Sequence, residues 1–108
     1  MIIEKDKKLY LIPKPKTLYG IKCFACKRKM ATETHHCIGQ RAYRNKSEKY
    51  GLTVGLCQEC HDKLHYRKDG WIIKRDLQKV GQRVFENKIA DRKQWMIEFH
   101  KNYLWDEE

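Results

Sequence analysis

Residues 57–65 read CQECHDKLH. Two thiols three positions apart are followed at once by two imidazoles four positions apart. A Cys-x2-Cys turn often opens directly into a helix, and on a helix His61 and His65 lie on one face. The stretch thus offers half of a thiolate metal site at one end and two imidazoles for a second metal at the other. What completes each half decides the fold.

Working outward, CFAC at residues 23–26 supplies the second pair of thiols. Cys23, Cys26, Cys57 and Cys60 together suit tetrahedral zinc, and four thiolates leave no open position for water, so the expected Zn2+ is structural. A rival ligand set pairs Cys23 and Cys26 with His61 and His65, although that spacing exceeds the zinc-finger range. Cys37, the odd thiol, reads as a small buried hydrophobe. The two knuckles are separated by residues 27–56, a longer stretch than a plain zinc ribbon needs. Near its start lies TETHHCIG, residues 32–39. Neighbouring side chains in an extended segment point to opposite sides, so His35 and His36 can serve two purposes. If residues ahead of the helix form two strands, zinc ties both ends and the first strand lies against the helix. His35 and His36 then come close to His61 and His65.

The chain has 108 residues, the expected size of one domain, and a core this small often needs a staple. Charge interrupts every apolar run in MIIEKDKKLYLIPKPK, so neither a signal peptide nor a membrane span is expected. The five cysteines then point to a reducing cytoplasm and to metal rather than disulfides. The formal net charge is +10, and residues 1–54 hold 13 Lys and Arg against 4 Asp and Glu. A chain basic in one half suggests a face for a polyanion, and DNA is the leading partner. The segment QRAYRNKSEKYG carries Arg41, Arg44, Lys46 and Lys49 with Tyr43 and Tyr50. It reads either as a backbone-gripping surface or as a solvated charged loop.

Residues 1–20 read as an exposed arm or hairpin, with KLYLI a strand and PKPK breaking it. Residues 21–70 hold all the cysteines and both histidine pairs. Residues 71–108 read as helical, with Leu77, Val80 and Val84 on one face. Asp91 and Gln94 form a capping-box pattern, and Trp95, Phe99 and Tyr103 continue as one helical core stripe. The expected fold is α+β: a zinc-clipped core, a basic N-terminal arm and a C-terminal helical extension in one compact domain.

HH after a CxxC knuckle, followed by CQECHDKLH, resembles the HNH endonucleases of the ββα-metal (His-Me finger) class over about residues 21–66. The run from His35 to His65, with a later QRVFE helix and the ending NYL, is similar to small HNH proteins of bacteriophages and prophages. The resemblance implies a ββα-metal core and divalent-metal-dependent hydrolysis or nicking of DNA, double-stranded or branched. It implies His36 as general base and His35, His61 and His65 as ligands of a catalytic divalent ion (Mg2+, Mn2+, Ni2+ or Zn2+). It implies the four cysteines as the structural zinc site, and a bacterial host cell as the setting if the chain is phage-encoded. The central Asn of the family is missing: YGLTVGLC has Gly51 and Leu52 where it is expected. Either Asn45 stands in, or Asn45 is a turn residue and the subgroup does without, with backbone near Gly51 as the brace.

The chemistry holds together without the resemblance. Phosphodiester hydrolysis needs a deprotonated water and relief of charge on the leaving oxygen. An imidazole, as a class, exchanges protons near neutral pH, which suits His36 to take the water's proton. A divalent ion relieves the charge. Two rivals stand beside this: a catalytically degenerate zinc module that binds DNA, and an interaction protein that docks on a phage or host protein. No base-reading helix is evident, so no sequence specificity is expected.

Overall fold

The computed structural model describes residues 1–107. Its element order is β1 (Ile2–Lys5), β2 (Lys8–Leu11), β3 (Glu33–His36), α1 (Arg44–Lys49), β4 (Thr53–Leu56), α2 (Gln58–Tyr66), α3 (Gly70–Lys88) and α4 (Arg92–Phe99), with single 3-10 turns before α1 and at 105–107. The α+β expectation is met by two separate two-stranded antiparallel sheets, β1–β2 and β3–β4. Among the described residues no helix is long and apolar enough to cross a membrane.

The N-terminal segment forms a hairpin and differs from an exposed arm. Asp6 and Lys7 both take positive φ, 53° and 62°, the backbone of a two-residue turn whose twist matches its strands. Ile2 pairs with Leu11 across the hairpin, and Met1 and Ile2 are buried. Leu9 and Leu11 pack against the same core as α3, so the hairpin covers one side of the domain. Apolar residues at the start of β1 drive this; charge in the turn stays in water.

β3 and β4 pair with His35 opposite Val54 and His36 opposite Thr53. All four residues of β4 are buried, as expected for a strand covered on both faces. Between the two strands runs α1, a short helix where the sequence suggested a loop. It ends at Lys49 with Tyr50 as its cap, and Gly51 just beyond, at φ 72°, lets the chain reverse into β4.

The α3 face anticipated from periodicity exists, with Leu77 and Val84 buried and Val80 partly so. Gly81 lies on that face, and a Cβ there would stand 2.8 Å from Cys37 Cβ, so its bareness allows α3 to approach the end of β3. The Asp91 side chain accepts from Gln94 N at 2.9 Å and opens α4. The capping box is half formed, because the Gln94 amide reaches Glu98 instead of turning back. Trp95 and Phe99 stack at 4.2 Å between centroids, with Phe85 edge-on to Trp95. Tyr103 joins this core from outside the helix: α4 stops at Phe99, and His100 turns left-handed at φ 63°. Buried Gln82 then holds the returning chain, accepting from Tyr103 N at 2.7 Å and donating to Asn102 Oδ1 at 2.9 Å. The C-terminal helices therefore share one core with the rest.

Candidate functional site

At one end of the β3–β4–α2 unit the four thiols meet. Cys23 and Cys26 sit in a turn closed by Lys27 N to Cys23 O at 2.9 Å and Cys23 N to Lys29 O at 2.8 Å. Phe24 N donates to Gly55 O at 2.9 Å, which fixes this knuckle to β4. Cys57 caps α2, its Sγ accepting from Cys60 N. Lys29 and Glu59 form an ion pair between the two knuckles.

The sulfurs of Cys23, Cys26, Cys57 and Cys60 all lie within 4.8 Å of one another, and Cys26 Sγ is 3.9 Å from Cys57 Sγ. Tetrahedral zinc with Zn–S of about 2.3 Å places its sulfurs about 3.8 Å apart. Backbone N–H groups of Lys29 and Arg28 lower the Cys26 thiol to about 6, whereas burial raises Cys57 and Cys60. A buried set of thiols becomes thiolate when a dication supplies the opposing charge, so the donors fit a structural metal such as zinc. The rival ligand set is not assembled, since Cys57 and Cys60 complete the thiol cluster. Cys37 lies away from it, buried, and lack of solvation pushes its thiol up to about 12.

At the other end the imidazoles meet. His35 from β3 lies 5.9 Å from His61 and 5.6 Å from His65 between ring centroids, and His61 lies 4.6 Å from His65. Helical spacing in α2 stacks the latter two on one face, and antiparallel pairing carries β3 past them. His35 Nδ1 is 2.7 Å from His36 O and takes the role of donor there, which leaves Nε2 as the free lone pair. His61 Nδ1 is 2.8 Å from Glu33 Oε2, which likewise frees Nε2. Burial, reinforced by His65 and His61, holds His35 below the usual imidazole range and so in its neutral, ligating form. The imidazole nitrogens are not all within 4.8 Å of one another; among the described residues only the thiols meet that limit. Exposed His65 is the member free to swing inward.

His36 points to the other side of β3, as strand alternation requires. Its Nε2 lies 3.9 Å from Glu48 Oε1 of α1, is shut off from solvent and has no hydrogen-bond partner. The stretch between β3 and α1 is tied down by Ser47, fully buried, whose Oγ donates to Ile38 O at 3.0 Å while its carbonyl accepts from Leu52 N at 2.8 Å.

Several expected contributors lie elsewhere. Asn45 is exposed in the first turn of α1, and its side chain has no hydrogen bond among the described residues. Gly51 forms the turn after α1 through its conformation. Lys46 is bound to α4, donating to Glu98 O at 2.8 Å with the Glu98 carboxylate 3.4 Å away. Tyr50 donates to Glu98 and packs edge-on against Phe85; Tyr43 packs on Phe99 with its hydroxyl 3.0 Å from His100 Nδ1. Both tyrosines serve the core, not a stacking platform. Arg41, Arg44 and Lys49 remain exposed, Arg44 with its Nε on Gly39 O and Lys49 over the Tyr50 ring.

Glu33, Glu48, Ser47 and Lys74 were not anticipated. Glu33 could have been found, because it lies two residues before His35 and so on the same strand face. The others carry no local signal: α1 and α3 bring them in by tertiary packing.

No family model, no curated protein and no solved structure matches the chain.

Proposed function

We propose that the chain is a divalent-metal-dependent DNA endonuclease or nickase of the HNH, ββα-metal type. The observation that carries this reading is the convergence of His35, His61 and His65 from β3 and α2 while adjacent His36 faces the opposite way. His35, His61 and His65 would hold the ion, whose role is to offset charge on the scissile phosphate and the departing 3′ oxygen. Glu33 holds the His61 ring and tautomer, an outer contact of the kind that tunes ligating imidazoles.

His36 accepts the proton as water attacks phosphorus, and Glu48 stabilises the resulting imidazolium. For that step Nε2, which is shut off from solvent, must open to the water. Ser47 takes the place of the missing Asn as the residue that braces the segment behind the base, through Ile38 O. The same buried Nε2 favours a second reading, a degenerate HNH zinc module that binds DNA, or a phage or host protein, without cutting.

Incubating the protein with supercoiled plasmid, with and without magnesium, manganese or nickel, separates these readings. Nicked or linear product only with added metal, lost in His36→Ala, is the expected result. No product with any metal, alongside tight and strongly salt-dependent DNA binding, replaces the nuclease with the binding module. Weak DNA affinity throughout leaves the interaction protein.

A further inference from the structure

We infer that the surface that grips nucleic acid is the corner between α2 and α3, and that it takes an unpaired stretch of DNA. This rests on the nuclease reading for the polymer and on surface chemistry for its form. The stretch of residues 40–51 offers no free aromatic face, because both of its tyrosines are turned into the core. The free faces are elsewhere.

A cleft of about 410 Å3 opens beside the histidine cluster, with His35, His36 and His65 in its wall. Arg44 and Lys74 stand in the same wall, from α1 and α3. Lys74 is exposed and has no ion-pair partner among the described residues. Two cations beside His35 and His65 in one wall form a seat for a phosphodiester rather than for a neutral ligand.

Two exposed aromatic rings neighbour residues of this wall. The Tyr66 ring is 6.0 Å from the His65 ring and the residue is 82 % exposed. Trp71 lies one helical turn before Lys74, on the same side of α3, and is 59 % exposed. The Arg75 guanidinium lies 5.1 Å from the centre of the Trp71 ring, which props one face and leaves a flat cationic–aromatic platform. Arg67 and Lys68 in the connection between the helices are exposed as well. Large rings held open to water among exposed cations fit a strand whose bases are unstacked, since bases stack on aromatic faces and the backbone follows the charge. A closed duplex offers its phosphates to such a surface but hides its base faces.

The test is a binding measurement without added divalent metal, so that no cutting is needed to read it. The zinc-loaded full chain is titrated into oligonucleotides carrying 2-aminopurine: a single strand, a duplex with a short unpaired bulge, and a fully paired duplex of equal length. The expected result is affinity for the first two at least about tenfold above the paired duplex, with a change in 2-aminopurine fluorescence on binding. Trp71→Leu and Tyr66→Ala, both at exposed positions, each lower that ratio several-fold, and Lys74→Ala weakens all three complexes. Equal affinity for paired and unpaired DNA overturns the inference, as does a preference that survives the double variant. A retained preference with no metal-dependent cutting upholds this surface and removes the nuclease reading. Metal-dependent cutting with no preference does the reverse.

Discussion

The β3–β4–α2 unit carries two donor clusters of opposite character, one of thiols and one of imidazoles. At the thiol end four sulfurs from two knuckles already lie within reach of one ion, three of the four cysteines are buried, the first knuckle is fixed to β4 by a backbone hydrogen bond, and Lys29 and Glu59 pair across the two. At the imidazole end three rings from one strand and one helix stand slightly too far apart, with His65 exposed and a cleft alongside. Four soft ligands in a closed shell complete a coordination sphere and stabilise a fold. On the nuclease reading, three imidazoles beside a cleft would leave room for water and substrate. On that reading, the same two strands and helix carry a structural task and a chemical one side by side, with Cys60 and His61 adjacent in the chain.

The largest expected effect comes from the thiol end. About one zinc per chain should be found by metal analysis, and Cys60→Ala or a strong chelator should abolish the cooperative thermal transition, because binding free energy of this kind is folding free energy. All five thiols titrating freely in the native protein at once would remove the site. Cys37 should stay unreactive in any case while the fold persists, given its raised pKa.

At the imidazole end, His36→Ala should lower nicking by about 10²- to 10⁴-fold, the range of general base catalysis, while zinc content and the melting transition stay near parental. Wild-type-like nicking by this variant would end the base assignment. His61→Ala should act differently, raising the concentration of divalent metal needed for half-maximal nicking.

Smaller effects sharpen the contrast by probing outer contacts. Glu33→Gln keeps a hydrogen-bonding group near His61 Nδ1 but loses the charge, and should weaken the response to divalent metal by about 10- to 100-fold. An unchanged metal titration would reduce Glu33 to a surface partner. Ser47→Ala leaves Ile38 O without its donor in the interior. It should cost about 1–3 kcal/mol in chemical denaturation and slow nicking more than its loss of folded protein explains. Asn45→Ala, by contrast, should cut at the parental rate; a clear loss there would return the missing-Asn role to that position.

Much of this was readable from residue types and spacing. Paired CxxC turns, an HxxxH on the helix that follows, and two adjacent histidines in an extended segment anticipate which groups can meet, because period and direction in strands and helices are set locally. The half-formed capping box at Asp91 and the Trp95–Phe99 stack follow from the same local rules. Tyr103 escaped them: a left-handed residue at His100 ends the helix one turn early, and Gln82 draws the chain back so that the ring still reaches the core.

What the sequence alone determined is the inventory and its local geometry: four thiols fit for zinc, three imidazoles on two elements, a fourth on the alternate face, and a chain rich in cations. Only the tertiary structure decided which cations are exposed and what packs behind His36. Lys46 and the two tyrosines of the basic segment are taken up by α4, an element more than 40 residues later. Ser47 became the buried tie, and Lys74 joined the cleft because bare Gly81 lets α3 lie against the end of β3. Such pairings depend on which surfaces are removed from water together, and that is a property of the closed core, not of any stretch of sequence read by itself.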